Sequence, residues 1–218
     1  MRKFFARRFP GSLMRFESHS VAIVGARKAA NTCRVASFKF AAHLSREDVT
    51  VVSGLALGCD TAAHLGCLEA GGQTVAVLPC GLNHITPVSN RPFAKRIQEN
   101  GGSLISEYSP ARRFEEPAWP PRPFRFIERN RVIASLSRAV IVMEAEEHSG
   151  TMHTARFALE QRKPLACYVS EFGPVSSGCR YLLENHGAIP LRNTADLASF
   201  LETLSNEPER KGEGGWHV

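Results

Sequence analysis

The chain of 218 residues is 43% hydrophobic and has a formal net charge of +6, which allows one substantial core. No apolar run approaches the roughly 18 residues of a membrane span, and the basic N-terminus lacks the apolar part of a secretory signal. We therefore expect a cytoplasmic protein with no membrane partner. The six cysteines form no Cys-x-x-Cys pair, which excludes a zinc or disulfide framework and predicts buried, reduced thiols.

Positive charge is concentrated in two parts of the sequence. The first 16 residues contain five basic residues and no acid, and residues 111–138 contain seven arginines against three glutamates. Localised positive charge indicates an anionic partner, either nucleic acid or the phosphate of a nucleotide. A surface that only aids solubility remains the alternative.

Short apolar runs alternate with amphipathic segments along the chain. Strands are predicted at 21–24, 49–52, 74–78, 103–106, 139–143 and 164–169. Helices are predicted at about 32–44, 59–69, 92–99, 129–137 and 151–161. Because the strand runs are apolar on consecutive residues, both faces of the sheet should be covered. The sequence thus predicts an α/β fold with a doubly wound, mostly parallel sheet and helices on both of its faces.

The two ends of the chain differ in composition from this alternating region. Residues 1–17 are predicted to form a basic N-terminal extension, and 18–204 one domain. The segment 205–218 is polar and rich in glycine, so we predict a disordered tail.

Glycines and hydroxyl residues follow several of the predicted strands. In doubly wound sheets, ligands bind beyond the carboxyl ends of the strands. Glycine lets backbone N–H groups approach a phosphate, and helix N-termini at the same edge attract anions. The sequence therefore predicts an anion-binding groove at this edge of the sheet. Its candidate residues are Gly25, Arg27, Ser53, Gly54, Ser149, Gly150 and Thr151.

Four segments at these strand ends carry a family resemblance. They are "VAIVGAR", "VVSGLALGCDTAAHLGCLEAGGQTVAVLPCGL", "RNRVIASLSRAVIVMEA" and "SGTMHTARFALEQRKPL". Together they resemble the DprA/Smf DNA-processing family, over roughly residues 18–188. The resemblance implies an extended Rossmann-like domain that binds single-stranded DNA and helps to load the RecA recombinase in natural transformation.

The family motifs assign roles to particular positions. The resemblance places Arg27 in the first turn, Ser53 and Gly54 in the second loop, and 149–154 in a Ser-Gly-(Ser/Thr) loop. A Phe-x-x-Arg-Asn-Arg segment corresponds to Phe126, Arg129, Asn130 and Arg131. Ala26 and Leu57 replace a serine and an arginine that are usual in the family. These departures bear on partners and affinity, and a homodimer is left open.

Several of these residues also have a purely structural interpretation. Arg129, Asn130 and Arg131 cannot all point inward from one helical turn, so at least one should reach solvent or ligand. Asn130 could instead brace the loop, and Ser149 to Thr151 could simply begin a helix. Phe126 could be a stacking platform for a base, a core residue or part of a subunit interface.

No pattern typical of an enzyme is present. Ser53 lacks the Gly-x-Ser-x-Gly elbow of a nucleophile, and His64 is interpreted as a packed, hydrogen-bonded helix residue. Zinc-ligand spacing and the Gly-x-x-x-x-Gly-Lys-(Ser/Thr) loop are both missing from the sequence. We therefore predict a protein without catalytic residues, cofactor or metal. The alternative is a nucleotide-like ligand binder or a phosphoribohydrolase of related fold, although the Pro-Gly-Gly-x-Gly-Thr signature of those enzymes is absent.

Overall fold

The computed structural model describes residues 5–8, 19–108 and 121–206. Its strands are β1 (Phe5–Arg8), β2 (Ser20–Val24), β3 (Thr50–Ser53), β4 (Thr74–Leu78), β5 (Ser103–Ser106), β6 (Ala139–Val142), β7 (Leu165–Tyr168) and β8 (Ile189–Leu191). The α-helices are α1 (Asn31–Arg46), α2 (Cys59–Glu69), α3 (Arg91–Glu99), α4 (Pro123–Ser135), α5 (Gly150–Glu160), α6 (Ser177–Asn185) and α7 (Thr194–Asn206). None of the helices in these ranges is long and apolar enough to cross a bilayer.

All eight described strands form one sheet in the order β1-β5-β4-β3-β2-β6-β7-β8. Strand β1 pairs antiparallel with β5, and every other neighbouring pair is parallel. The chain progresses outward from β2 to β5 and then crosses back to β6 on the other side of β2. This topology confirms the predicted doubly wound, mostly parallel fold and puts the switch point between β2 and β6.

Hydrophobic cores lie on both faces of the sheet. Successive residues of β2 point to opposite faces, so that Val21 and Ile23 pack in one cluster while Ala22 and Val24 pack in another. The first cluster includes Phe40 of α1 and Phe200 of α7, both 2% exposed. Burial on both faces explains why the strand sequences are apolar without alternation. All six cysteines are free thiols within the buried region.

The observed elements extend beyond the predicted ones at several points. Helix α4 begins at Pro123, six residues before the predicted start at 129, because proline is well tolerated in a first helical turn. Four observed elements were not predicted from the sequence, namely β1, α6, β8 and α7. Strand β1 comes from the predicted extension, and α7 reaches Asn206. The remainder of the predicted tail, 207–218, lies outside the described residues.

Candidate nucleic-acid interface

An aromatic ring and two arginines meet where β2 ends and α4 begins. The guanidinium Cζ of Arg27 lies 5.1 Å from the ring centroid of Phe126, and that of Arg129 lies 6.0 Å from it. Arg27 is exposed and Phe126 is half-buried. Because β2 and β3 are parallel, their carboxyl ends lie at the same edge of the sheet. We call this edge the rim. An exposed cation over an aromatic ring can offer both charge and a flat surface to a ligand.

Arg129 lies in the interior rather than at the surface, since only 6% of it is exposed. Its Nη1 donates to the carbonyl oxygens of Gly54 and Val77, the latter at 2.9 Å, and its Nε donates to Asn130 Oδ1 at 3.0 Å. Burial lowers the pKa of this guanidinium, and the nearby carboxylate of Asp60 opposes that shift. Arg129 therefore joins β3, β4 and α4, and it has no exposed face for a ligand.

Asp60 supplies the matching buried negative charge. Its Oδ2 accepts hydrogen bonds from the backbone N–H groups of Gly54 at 3.1 Å and Ala56 at 3.3 Å. Burial raises the pKa of this carboxyl group, and Arg129 and the two N–H donors act in the opposite direction. The β3–α2 loop is thus held by groups of the protein itself, and its Gly54 amide is already occupied.

The glycines predicted to approach a phosphate are instead required by internal packing. A Cβ atom added at Gly54 would lie 2.5 Å from Arg129 Cζ, and one added at Gly25 would lie 2.6 Å from Cys59 Sγ. Ser53 is fully buried, and its hydroxyl donates to the carbonyl of Ile23 at 2.6 Å. Gly25, Ser53 and Gly54 therefore support the rim through contacts inside the protein.

The other two residues of the Arg-Asn-Arg segment also have partners within the protein. Arg131 pairs with the buried carboxylate of Glu107 at 2.5 Å and keeps 31% of its side chain exposed. Asn130 donates from Nδ2 to the carbonyl of Gly150 at 2.9 Å, which fits the bracing role that the sequence left open. This bond ties α4 to the first turn of α5.

Residues 149–151 form the start of α5. Ser149 is at the N-cap position, but its side chain makes no capping hydrogen bond, and its buried Oγ has no partner among the described residues. Gly150 is exposed, with nothing within 4 Å of the position of an added Cβ, and Thr151 is half-buried. Open space and a helix N-terminus coincide here, as anion binding requires.

One further arginine belongs to this region and was not among the predicted site residues. The Cζ of Arg125 lies 4.4 Å from the ring centroid of Tyr108, and its Nε and Nη1 are buried without a hydrogen-bond partner in the described part of the chain. Tyr108 donates its hydroxyl to Glu128, and burial together with this carboxylate raises the pKa of the phenol. The clustering of arginines at 125, 129 and 131 was the available sequence signal.

His64 takes the structural role predicted for it. It is fully buried, and its Nδ1 lies 2.8 Å from Thr74 Oγ1. Because the Thr74 hydroxyl donates its only proton to the carbonyl of Val51, it must accept from His64, which fixes the Nδ1–H tautomer. Burial lowers the pKa of His64 to about 3. Within the described ranges, no group of three or more His, Cys, Asp or Glu residues is placed to hold a metal.

Comparison with known proteins relates this architecture to proteins that act on DNA. A family model described as DNA recombination-mediator protein A matches residues 5–202. Protein Smf of Escherichia coli is 35% identical over 193 residues, covering 88% of this chain and 50% of that protein. DNA processing protein DprA of Streptococcus pneumoniae is also 35% identical, over 88% of this chain and 65% of that protein. The chain thus spans between half and two thirds of the length of these relatives.

Solved structures give the same picture. DNA processing protein A from Helicobacter pylori, described for its single-stranded DNA binding mode, superimposes with a TM-score of 0.78 at 29% identity, covering 93% of this chain and 87% of that one. A molybdenum cofactor carrier protein from Chlamydomonas reinhardtii superimposes with a TM-score of 0.58 over 86% of this chain and 98% of that one. At 14% identity, this second likeness concerns the fold alone.

Proposed function

This chain belongs to the DNA recombination-mediator protein A family, and we propose that it binds single-stranded DNA across the rim of its sheet. The stacked pair of Arg27 and Phe126 is the observation that carries the proposal. Arg27 provides an exposed charge for a phosphate, and Phe126 provides an aromatic surface for a base. Phosphate contact and stacking are both tolerant of sequence, which suits a protein that must accept any strand.

The other candidate residues support this surface in different ways. Gly150 and Thr151 are accessible and place the N-terminus of α5 where a phosphate could lie. The remaining residues position the surface from within, namely Gly25, Ser53, Gly54, Arg129, Asn130, Arg131 and Ser149. Arg125 adds positive charge near this surface, with its guanidinium over the Tyr108 ring.

Further parts of the proposal concern the biology of the protein. We propose that it passes the bound strand to RecA during recombination or transformation, as the description of its family as recombination mediators supports. We also propose a homodimer in the cytoplasm, with residues 18–204 as the DNA-binding domain. Binding on this proposal is not catalytic and needs neither cofactor nor metal.

The salt dependence of oligothymidylate binding tests the proposal. Each phosphate neutralised on a single strand adds roughly −0.7 to the slope of log K against log salt. We expect about four to six contacts and therefore a slope of about −3 to −4. Arg27→Ala should weaken binding and, because one phosphate contact is lost, make the slope less negative by roughly 0.7. Arg192→Ala is the matched control, since Arg192 is also exposed but is paired with Asp196 at 2.8 Å and follows β8, three strands away from β2 in the sheet.

A slope near zero would contradict the proposal, as would equal effects of Arg27→Ala and Arg192→Ala. Excess EDTA should leave the affinity unchanged, and neither strand cleavage nor nucleotide turnover should appear. Metal-dependent degradation of the strand would favour an enzyme instead.

A further inference from the structure

A crevice separate from the Arg27–Phe126 pair opens at the switch point of the sheet. It has a volume of about 370 Å³ and lies between the start of α1, the end of β6, the end of β7 and the start of α6. Residues from each of these elements line it, including Thr32, Glu144, Glu146, Tyr168 and Ser176. Doubly wound sheets bind ligands in a crevice at this point, and the volume falls in the range typical of small-molecule sites.

The walls of the crevice are unsuited to phosphate. Glu144 and Glu146 both line it, and none of its lining residues is Lys, Arg or His. The backbone donors nearby are already bound by the protein: Ala30 N–H donates to Glu144 Oε2 at 2.9 Å, and Ala145 N–H donates to Ser176 Oγ at 3.1 Å. The crevice thus offers negative charge, whereas the Arg27–Phe126 surface offers positive charge.

The same walls are suited to a ligand that donates hydrogen bonds and has a flat apolar face. Glu146 accepts from Ser177 Oγ through Oε2 at 2.6 Å, which leaves its Oε1 as an acceptor. Tyr168 contributes an aromatic wall, and Phe172 at the edge of the crevice is 81% exposed and so has an accessible ring. Sugar hydroxyls and exocyclic amino groups are donors that carboxylates accept, and a base has the flat face.

We propose that the switch-point crevice binds a nucleoside moiety, base and sugar without phosphate, with Glu146 accepting its donors and Phe172 closing over its base. The moiety is either a free nucleoside or a nucleotide unit of the bound strand whose phosphates lie outside the crevice. Only the second source rests on the proposed DNA binding.

Calorimetric titration of the full chain with adenosine and with ATP tests the free ligand. Adenosine should bind at least tenfold more tightly than ATP, because the ATP phosphates would face Glu144 and Glu146. Glu146→Ala and Phe172→Ala should each weaken adenosine binding at least fivefold. Two variants are controls: Glu184→Ala removes an exposed acid on α6, and Arg27→Ala removes the cation of the Arg27–Phe126 pair. Neither should change the affinity for adenosine.

Titration with oligodeoxyadenylate then identifies the source. Glu184→Ala should strengthen oligodeoxyadenylate binding slightly, because it removes a negative charge that acts on DNA only through long-range electrostatics. A loss of oligodeoxyadenylate affinity in Glu146→Ala, together with competition between adenosine and the oligonucleotide, assigns the crevice to the strand. Simultaneous binding of both assigns it to a free nucleoside.

The proposal is overturned if adenosine shows no saturable binding and Glu146→Ala and Phe172→Ala leave oligodeoxyadenylate affinity undiminished. It is equally overturned if ATP binds as tightly as adenosine and depends on Arg27. Adenosine binding without any oligonucleotide binding would instead refute the proposed function and leave this inference standing.

Discussion

The guanidinium of Arg27 lies over the ring of Phe126 at 5.1 Å, on the same ring that Arg129 approaches to 6.0 Å from the protein interior. Arg27 is exposed, whereas Arg129 is 6% exposed and bonded to backbone carbonyls. Phe126 therefore contacts both a surface cation and a buried one. The two arginines should respond very differently to substitution, and the ring that they share should matter mainly for binding.

Phe126→Ala should weaken oligothymidylate binding about tenfold, or 1.4 kcal/mol, within the range of one lost stacking contact. Because the ring is only half-buried, the melting temperature should fall by no more than a few degrees. Fluorescence anisotropy and thermal melting measure the two effects. Phe124→Ala is the control, since Phe124 lies in the same helix and is 50% exposed. A loss of 3–5 kcal/mol of stability with normal DNA binding, typical of an emptied core site, would make Phe126 a structural residue.

Arg129→Ala should lower the free energy of unfolding by about 3–5 kcal/mol, because it leaves the buried Asp60 charge without its counterion. The carbonyls of Gly54 and Val77 would also lose their donor. Urea denaturation measures the change. Arg131→Ala, two residues along the same helix, should cost less, about 1–3 kcal/mol, because the buried Glu107 carboxylate loses a charged hydrogen-bond partner that itself keeps 31% of its side chain exposed. Equal costs for the two variants would refute the positioning role assigned to Arg129.

Gly54→Ala should destabilise the protein by about 1–3 kcal/mol, since the new methyl group would overlap the Arg129 guanidinium. Gly150→Ala should stay within about 0.5 kcal/mol of the parent, because the added Cβ meets nothing within 4 Å. Any loss of DNA affinity in the stable Gly150→Ala variant is then a direct effect on binding. A Gly54→Ala variant as stable as the parent would show that the rim tolerates side chains there.

His64 should make the stability of the fold depend on pH. Its pKa is about 3 when buried, against about 6.5 in the unfolded chain, so the unfolded state binds the extra proton between these values. The contribution of neutral His64 is therefore complete above about pH 6.5 and is lost as the pH falls toward 3, by at most roughly 1.4 kcal/mol per pH unit.

His64→Asn removes this titration while keeping an N–H donor near Thr74 Oγ1. Urea denaturation from pH 7 to pH 4 should show a shallower decline for the variant than for the parent. Parallel declines would mean that His64 is protonated in the folded state.

The alternation of strands and helices from β2 to β7 followed from sequence alone. Short runs of consecutive apolar, β-branched residues, such as those from Val21 to Val24, are typical of a strand buried on both faces, so the local pattern indicated these strands. The position of Arg27 at the rim was predictable for a similar reason, since it follows directly after β2 and its glycine. Elements with weaker patterns, such as β8 with two of its three residues exposed, were missed.

Only the tertiary structure decided which arginine of the Arg-Asn-Arg segment is buried and which is partly exposed. Successive helical residues are rotated by about 100°, so the sequence could say that Arg129 and Arg131 face different ways but not which one is buried. That depended on the carbonyls of Gly54 and Val77 and the carboxylate of Asp60, groups at least 52 residues away along the chain. The glycines were ambiguous for the same reason. A missing side chain leaves room for a phosphate or for a neighbouring guanidinium, and only the packed structure determines which of the two fills it.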